Sequence, residues 1–244
     1  KLNASQQGFL YQAVKIAKNS SMQYDLSDVK KALDGTEANA KWPVLSALEE
    51  VIESNLFSST PTKLSDLIKP WQVALVNLKG AVFALQQAGV SRLLADLFHA
   101  RKNGLIPAFF LVLEEAHNFC PERSFGEVPC SSITRTIASE GRKFGLGLCV
   151  VTQRPARIDK SVLSQCNTQI VLKMTNPHDL KAVSGSMESF DETTEETIKT
   201  LTPGTAIVAG EAVEHNVVVE VRVRKSKHGG KAPTALELPE TASD

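Results

Sequence analysis

Several features that would assign a protein to a common class are missing from these 244 residues. No apolar run approaches the roughly 20 residues that a helix needs to cross a bilayer, and no signal-peptide pattern is found at the start. We therefore expect a cytoplasmic protein that does not contact membranes. The 27 basic and 27 acidic residues cancel, which excludes the strongly basic footprint of a simple nucleic-acid coat but leaves room for a local basic surface.

The four cysteines do not form a recognisable zinc motif. None belongs to a C-x-x-C pair, and His117 with Cys120 and Cys130 lacks a fourth ligand at the usual spacing. We therefore expect free thiols, as in a reducing compartment, with Cys149 inside an apolar run of the core.

Residues 5–60 have the apolar spacing of helices, and the pattern changes after residue 70. From there, strand-length apolar runs alternate with helical patterns: WQVALVNL (71–78), AFFLVL (108–113), LGLCVV (146–151), TQIVLKM (168–174), TAIVAG (205–210) and NVVVEVRVR (216–224). Strands that are apolar almost throughout and alternate with helices predict an α/β fold with a mainly parallel sheet. The last two strands are close enough in sequence for an antiparallel hairpin.

The segment FFLVLEEAHNF (109–119) ends the most apolar run with two adjacent carboxylates, Glu114 and Glu115. Ligands of open α/β sheets bind beyond the carboxyl ends of strands. Adjacent residues there point to different sides, so one acid can hold Mg²⁺, directly or through water, while the other orients or deprotonates a water molecule. This is the layout of a Walker B segment. The alternative is a Glu pair that starts a helix, where negative charge suits the dipole.

Two further segments bear on that choice. In SEGRKFGLGL (139–148), Arg142 lies at a helix end, where it could reach a γ-phosphate across an interface as an arginine finger, with Lys143 adjacent. Arg135, on the same helix face, is predicted to be a solvated charge. In VVTQRP (150–155), Gln153 follows a buried strand. It would sense the phosphate or the attacking water if that strand neighbours the Glu-bearing one, and is otherwise an ordinary polar strand exit.

Taken together, these segments resemble the HerA-like ATPases of the FtsK–HerA superfamily, which are DNA translocases of archaea and bacteria. The resemblance covers most of residues 70–230 and runs, in the family's order, through FFLVLEEAHNF, ITRTIASEGRKFGLGLCVVTQRPARID, VLSQCNTQIVLKMTNPHDL, LTPGTAIVAG and VRVRKSKHGG. It implies a RecA-like P-loop NTPase domain. Residues 1–70 would be an inserted helical segment, residues 71–230 the ATPase core and residues 231–244 a flexible tail.

The resemblance also implies an activity: an ATPase and DNA helicase that uses ATP and Mg²⁺ to move duplex DNA through a homo-hexameric ring. It implies a role in DNA end resection and repair beside a NurA-type nuclease. By position, Glu114 matches the acid that holds Mg²⁺, through water, and Glu115 matches the catalytic base. Gln153 matches the sensor, and Arg142, with Lys143 beside it, matches the finger acting on a neighbour's nucleotide.

Contacts with DNA are harder to place. In a ring translocase, basic residues of channel loops meet phosphates without reading bases. The candidates are Arg154, Arg157 and Lys160 in RPARIDK, and Arg123 in the loop 120–130. Each of them taken alone is more simply a surface charge.

A P-loop motif, G-x-x-x-x-G-K-[ST], is absent from the 244 residues. The amides and lysine of that motif cradle the phosphates of a bound nucleotide. Because the first residue is not Met, we expect a truncated ATPase that is inactive by itself and binds ATP weakly or not at all. Two alternatives stay open: a conjugation- or secretion-type ATPase of the same superfamily, and a non-catalytic ring subunit without a P-loop.

Overall fold

The structure is a computed structural model that describes residues 2–37, 39–54, 56, 60, 62–187 and 190–227. The predicted tail 231–244 lies outside the described residues. The chain divides into two compact units. The first contains the described residues of Lys1–Asn167 and Asn176–Met187, and the second contains those of Thr168–Thr175 and Glu188–Asp244.

The first unit combines helices with one pair of strands. Its helices are α1 (Ala4–Ser20), α2 (Leu26–Asp34), α3 (Trp42–Glu53), α4 (Leu64–Leu67), α5 (Phe83–Lys102), α6 (Ser131–Glu140), α7 (Lys160–Leu163) and α8 (Pro177–Ser184). Its strands are β1 (Phe109–Leu113) and β2 (Leu146–Val150).

Helices α1 to α3 have their own apolar core. The side chains of Asn3 and Asp25 accept backbone N–H bonds at the starts of α1 and α2, and both helices have a full capping box. Their buried faces meet through Ala13, Ala17, Val29, Leu33, Val44, Leu45 and Leu48. The helical spacing read from residues 5–60 is therefore confirmed for these three helices.

Strands β1 and β2 are parallel and in register from Phe109↔Leu146 to Leu113↔Val150. One face of the pair packs on α5 and α6, in a core that includes Val90, Leu94, Phe98, Leu113, Ile137 and Leu146. On the other face, Phe110 and Val112 are exposed. The pair is thus anchored on one side, which fixes where its two carboxyl ends lie.

The segment 71–78 does not form the predicted strand. The structure assigns it no strand, and Trp71, Val73 and Leu75 are each at least 88% exposed. An apolar run becomes a strand only where a neighbouring strand takes up its backbone hydrogen bonds. No strand in the described part of the chain pairs with 71–78.

The second unit contains β3 (Thr168–Val171), α9 (Glu192–Thr200), β4 (Thr205–Gly210) and β5 (Val217–Glu220). The three strands form one sheet in the order β3-β4-β5, antiparallel throughout. The predicted C-terminal hairpin is therefore confirmed, as is the α/β class. The expected orientation of β3 in a mainly parallel sheet is wrong, because its partner β4 runs antiparallel to it. Among the described residues, the parallel part of the fold is the β1–β2 pair.

We expect Gly141→Ala to lower the free energy of unfolding by about 1–3 kcal/mol, because overpacking next to a fixed backbone forces the chain to shift. Gly141 connects α6 to the turn before β2, and an added Cβ would lie 2.8 Å from the backbone oxygen of Leu146. Urea unfolding measures the change.

The matched control is Gly89→Ala, in the interior of α5, where no atom of the described residues lies within 4 Å of an added Cβ. There the substitution should stabilise by about 0.5–1 kcal/mol, because alanine loses less backbone entropy in a helix. Equal effects of the two substitutions would contradict the close approach at Gly141.

Candidate functional site

The carboxyl ends of β1 and β2 lie side by side. Beyond the last paired residues, the N–H of Val151 donates to the carbonyl of Leu113 at 3.0 Å, and the N–H of Ala116 donates to the carbonyl of Val151 at 3.0 Å. Glu114, Glu115 and Gln153 therefore extend from the same edge of the sheet, and all three are exposed. The condition placed on Gln153, that its strand neighbours the Glu-bearing one, is met.

Glu115 has an unusual backbone. Its φ of 48° lies in the left-handed region, which a residue other than glycine seldom adopts. Its carbonyl accepts the N–H of Asn118 at 2.9 Å, and the following N–H is bound to Val151. Strained residues of this kind persist where the surrounding structure fixes them, and they concentrate at functional sites.

His117 joins the two strand ends. Its Nδ1 lies 3.0 Å from Oγ1 of Thr152 and 3.3 Å from Oε2 of Glu115. The N–H of Arg154 donates to the same Thr152 oxygen at 3.0 Å. The contact between His117 and Thr152 was not predicted from the sequence, which indicated only a polar strand end at Thr152 and an incomplete zinc motif around His117. The sequence does contain a signal for this contact, because polar residues directly follow the apolar runs of two strands, and those strands are neighbours in the structure.

Glu114 faces a different environment from Glu115. It continues the alternation of Phe110 and Val112, on the exposed face of the strand pair. The pKa of the Cys149 thiol, paired with Val112 in the register, is raised by burial and, to a smaller extent, by the negative charge of Glu114. The two carboxylates thus lie in separate surroundings, as two separate roles would require.

Arg142 and Lys143 lie away from this edge. They belong to the turn Gly141–Phe144, which precedes β2, and the carbonyl of Gly145 accepts the N–H of Phe109 at 3.2 Å. This places them at the amino ends of the strands, and a five-residue strand spans about 16 Å. Both side chains are exposed, and the described part of the chain offers neither of them an ion pair or hydrogen bond.

Arg135 is not the solvated charge that was predicted. Its guanidinium lies 3.0 Å from Oδ2 of Asp159 and 2.7 Å from Oε1 of Glu127. The Asp159 side chain is only 3% exposed, and a buried carboxylate requires a charged or hydrogen-bonding partner. Arg135 is turned inward to supply it.

Asp159 holds several elements together. Its carboxylate also accepts the N–H and the hydroxyl of Ser161, while its own N–H donates to the carbonyl of Cys120. Burial by itself raises the pKa of Asp159, but the hydrogen bonds from Ser161 and Arg135 outweigh burial and the pKa lies below its ordinary value.

Three of the four predicted DNA-contact residues lie near this anchor. Nε of Arg123 is 3.9 Å from Oδ2 of Asp159, and the guanidinium of Arg157 lies 5.3 Å from the centre of the Phe125 ring. The backbone N–H of Lys160 donates to the carboxylate of Glu122 at 3.0 Å. The loops that carry Arg123 and Arg157 are therefore joined, whereas Arg154 is exposed and its side chain makes no hydrogen bond or ion pair with the described residues.

The carboxylates fit Mg²⁺ in one limited way. No group of three or more His, Cys, Asp or Glu side chains in the described residues could hold a metal ion. Mg²⁺ usually keeps several waters and takes only one or two protein carboxylates together with substrate phosphates. Glu114, an exposed carboxylate at the strand end, can be such a carboxylate for a hydrated Mg²⁺. The P-loop motif that would bind the phosphates is not among these 244 residues.

The four cysteines are free, as predicted. Burial raises the pKa of Cys120 to about 12 and that of Cys130 to about 11. Both thiols stay protonated at neutral pH, so neither is activated as a nucleophile. In the described part of the chain, none of the helices is both long and apolar enough to cross a membrane.

Comparison with solved structures identifies the fold class. The chain is similar to VirB4 of Thermoanaerobacter pseudethanolicus, with a TM-score of 0.66 at 12% identity, over 92% of this chain and 66% of that one. It is also similar to the plasmid coupling protein TrwB in complex with the ATP analogue ADPNP, with a TM-score of 0.51 at 12% identity, over 82% and 56% of the two chains. The fold is that of the P-loop ATPases of the FtsK, HerA and VirB4 type.

Comparison with curated proteins narrows the class to one family, although no family model matches the chain. It is 31% identical to the DNA double-strand break repair helicase HerA of Saccharolobus solfataricus, over 82% of this chain and 41% of the relative. It is 29% identical to the protein of that name from Sulfurisphaera tokodaii, over 94% of this chain and 50% of the relative. The chain belongs to the HerA-like ATPases and spans half or less of the length of these relatives.

We expect Asp159→Asn to lower the free energy of unfolding at pH 7 by about 2–4 kcal/mol, because it leaves Arg135 without its buried partner. The folded-state pKa of Asp159 is depressed, so its stabilising effect is present above the ordinary value of 3.8 and is lost as the pH falls through the folded-state pKa. The gap between wild type and variant should therefore close in acid. Denaturant unfolding between pH 3 and 7 measures it.

The matched control is Asp96→Asn in α5, where the carboxylate forms an exposed pair with Arg92 at 2.8 Å. An exposed pair contributes little, so a change of less than about 0.5 kcal/mol is expected. A pH-independent effect of Asp159→Asn would show that shape, not charge, governs the site.

Proposed function

We propose that this chain is the catalytic half of an ATP-dependent DNA translocase or helicase that hydrolyses ATP in a ring of subunits to move duplex DNA. The observation that carries the proposal is the shared edge of β1 and β2, where Glu114, Glu115 and Gln153 extend together from neighbouring strands. The fold is that of a P-loop ATPase, and similar proteins are named DNA double-strand break repair helicases. We accordingly place the chain in DNA end resection and repair, with a NurA-type nuclease as partner.

In this proposal the two carboxylates act on different atoms. Glu115 orients the attacking water and takes its proton, which a carboxylate can do only when exposed to that water. Glu114 would hold Mg²⁺ through a water ligand, and the ion would supply positive charge to the phosphates of the nucleotide. Gln153, beside them, has an amide that donates to a γ-phosphate oxygen or holds the water in line.

Arg142 is proposed to act on the nucleotide of a neighbouring subunit. It lies at the opposite edge of the strand pair from Glu115 and is exposed without a partner in the described residues. A cation in that position cannot serve its own chain's nucleotide, but it can stabilise charge in a neighbour's transition state. Lys143 is the adjacent alternative. A closed ring, which we propose to be a homo-hexamer, gives every subunit such a neighbour.

The basic residues near Asp159 are proposed to face the DNA. Arg123 and Arg157 lie on two loops and Lys160 begins α7, and these segments are joined through Asp159 and through a bridge between Pro121 and Ile158. Arg154 follows directly after Gln153. Contacts from these residues to phosphates would be independent of sequence and weakened by salt.

The proposal is tested on the protein translated from the complete reading frame that contains this chain. We expect ATP hydrolysis stimulated by duplex DNA, and a loss of at least about 100-fold in Glu115→Gln, which still binds ATP but cannot take the proton. The control Glu50→Gln alters an exposed carboxylate of α3 and should hydrolyse ATP like wild type.

An inactive wild type would favour a non-catalytic ring subunit. A Glu115→Gln variant as active as wild type would end the assignment of Glu115 as the base.

Binding of duplex DNA tests the second surface. We expect Arg154→Ala to weaken binding on all sequences alike and to reduce the slope of log K against log salt by about 1, as the loss of one phosphate contact should. Arg92→Ala, an exposed arginine of α5, is the control and should bind as wild type does. Equal losses in the two variants would mean that Arg154 contributes only to the overall charge.

A further inference from the structure

We infer that His117 is a positioning residue for Glu115, and that it works by holding the Glu115 carboxylate against Thr152 of the neighbouring strand. The inference deepens the proposed function and rests on it for the role of Glu115. It concerns three neighbouring side chains, Glu115, His117 and Thr152, in which Nδ1 of the histidine contacts both of the others.

The contacts fix where the proton of His117 lies. Nδ1 is 3.3 Å from Oε2 of Glu115 and 3.0 Å from Oγ1 of Thr152. An ionised carboxylate can only accept a hydrogen bond. If Nδ1 carried no proton, its lone pair would face the negative oxygen. Nδ1 therefore carries the hydrogen, which bonds Oγ1 of Thr152 and attracts the neighbouring carboxylate oxygen of Glu115.

The imidazole of His117 is more buried than the carboxylate that it contacts, as a residue that positions another should be. The His117 side chain is 16% exposed, whereas that of Glu115 is 47% exposed. The N–H of Arg154 donates to Oγ1 of Thr152 and so restricts the threonine from its other side. The partly buried ring is thus fixed between strand ends, while the carboxylate that it contacts stays open to solvent and substrate.

The contact with His117, which we call the clamp, restricts the side chain of Glu115, whereas the backbone hydrogen bonds restrict only its peptide. The peptide of Glu115 is bound to Asn118 and Val151, in a left-handed conformation. A glutamate side chain has three further torsions, and an exposed one would sample many rotamers. A water-activating group loses rate when it is displaced by about 1 Å. Since Thr152 directly precedes Gln153, the clamp also fixes the carboxylate relative to the proposed sensor.

The first test needs no ATP and uses this chain. Long-range ¹H–¹⁵N NMR spectra of the imidazoles, with the His117 signals assigned by their loss in His117→Asn, report which nitrogens carry protons. A proton on Nδ1 of His117, whether the ring is neutral or charged, is the expected result. A ring protonated only at Nε2 would overturn the inference.

The second test separates positioning from general structural support, in the protein translated from the complete reading frame. His117→Leu removes the donor, and we expect kcat to fall about 10- to 100-fold with KM for ATP changed by less than about threefold. His117→Asn keeps an N–H near the position of Nδ1 and should recover most of that kcat. Equal losses in the two variants, or no loss in His117→Leu, would overturn the positioning role.

The Glu115→Gln variant distinguishes the two proposals. If it is inactive while His117→Leu has the kcat of wild type, the positioning role fails and the proposed function stands. If Glu115→Gln is itself fully active, the proposed function fails, and the NMR result still decides whether Nδ1 of His117 carries the proton.

Discussion

The candidate site depends on one constraint, the in-register parallel pairing of β1 with β2. Because Leu113 lies opposite Val150, both strands end at the same level and their next residues share one edge. A shift of one residue would move Glu115 away from Thr152 and reverse the faces of every side chain on the shifted strand. The register is maintained by the face that packs on α5 and α6, where Leu113 and Leu146 are buried. The packing of one face of the strand pair therefore determines which side chains meet at the carboxyl ends of β1 and β2.

A second constraint acts on the loops beyond the strands. Loops are held in one conformation where their backbone groups and charged side chains form hydrogen bonds and ion pairs. Here the buried carboxylate of Asp159 is the partner. It joins α6, through Arg135, to the loop after Cys120 and to the start of α7. Such a pair is weak evidence for stability taken overall, but removal of one member leaves an unpaired buried charge. Its evident effect is geometric: it keeps the loops of Arg123 and Arg157 together.

The sequence predicted those features that depend on local pattern. The two carboxylates at a strand end, Gln153 at the end of the next strand and the C-terminal hairpin all follow from apolar runs and what ends them. Features that depend on distant partners were not predictable. The run 71–78 has the composition of a strand but has no pairing partner in the described part of the chain. Strand β3 pairs antiparallel with β4, a strand more than 30 residues later. Arg135 and His117 act through residues 24 and 35 positions away, which no periodicity reveals.

The separation of the two edges has a consequence for assembly. Glu115 lies at the carboxyl ends of the strands and Arg142 at their amino ends. The strands are too rigid and, at about 16 Å, too long for both groups to reach one phosphate within the same chain. If both take part in hydrolysis, two copies must meet with the amino edge of one against the carboxyl edge of the other. Such a head-to-tail contact is heterologous, and it leads to a closed ring or to an open filament. Because of the position of Arg142, the ATP hydrolysis proposed for one chain requires a neighbouring subunit, as the proposed ring provides.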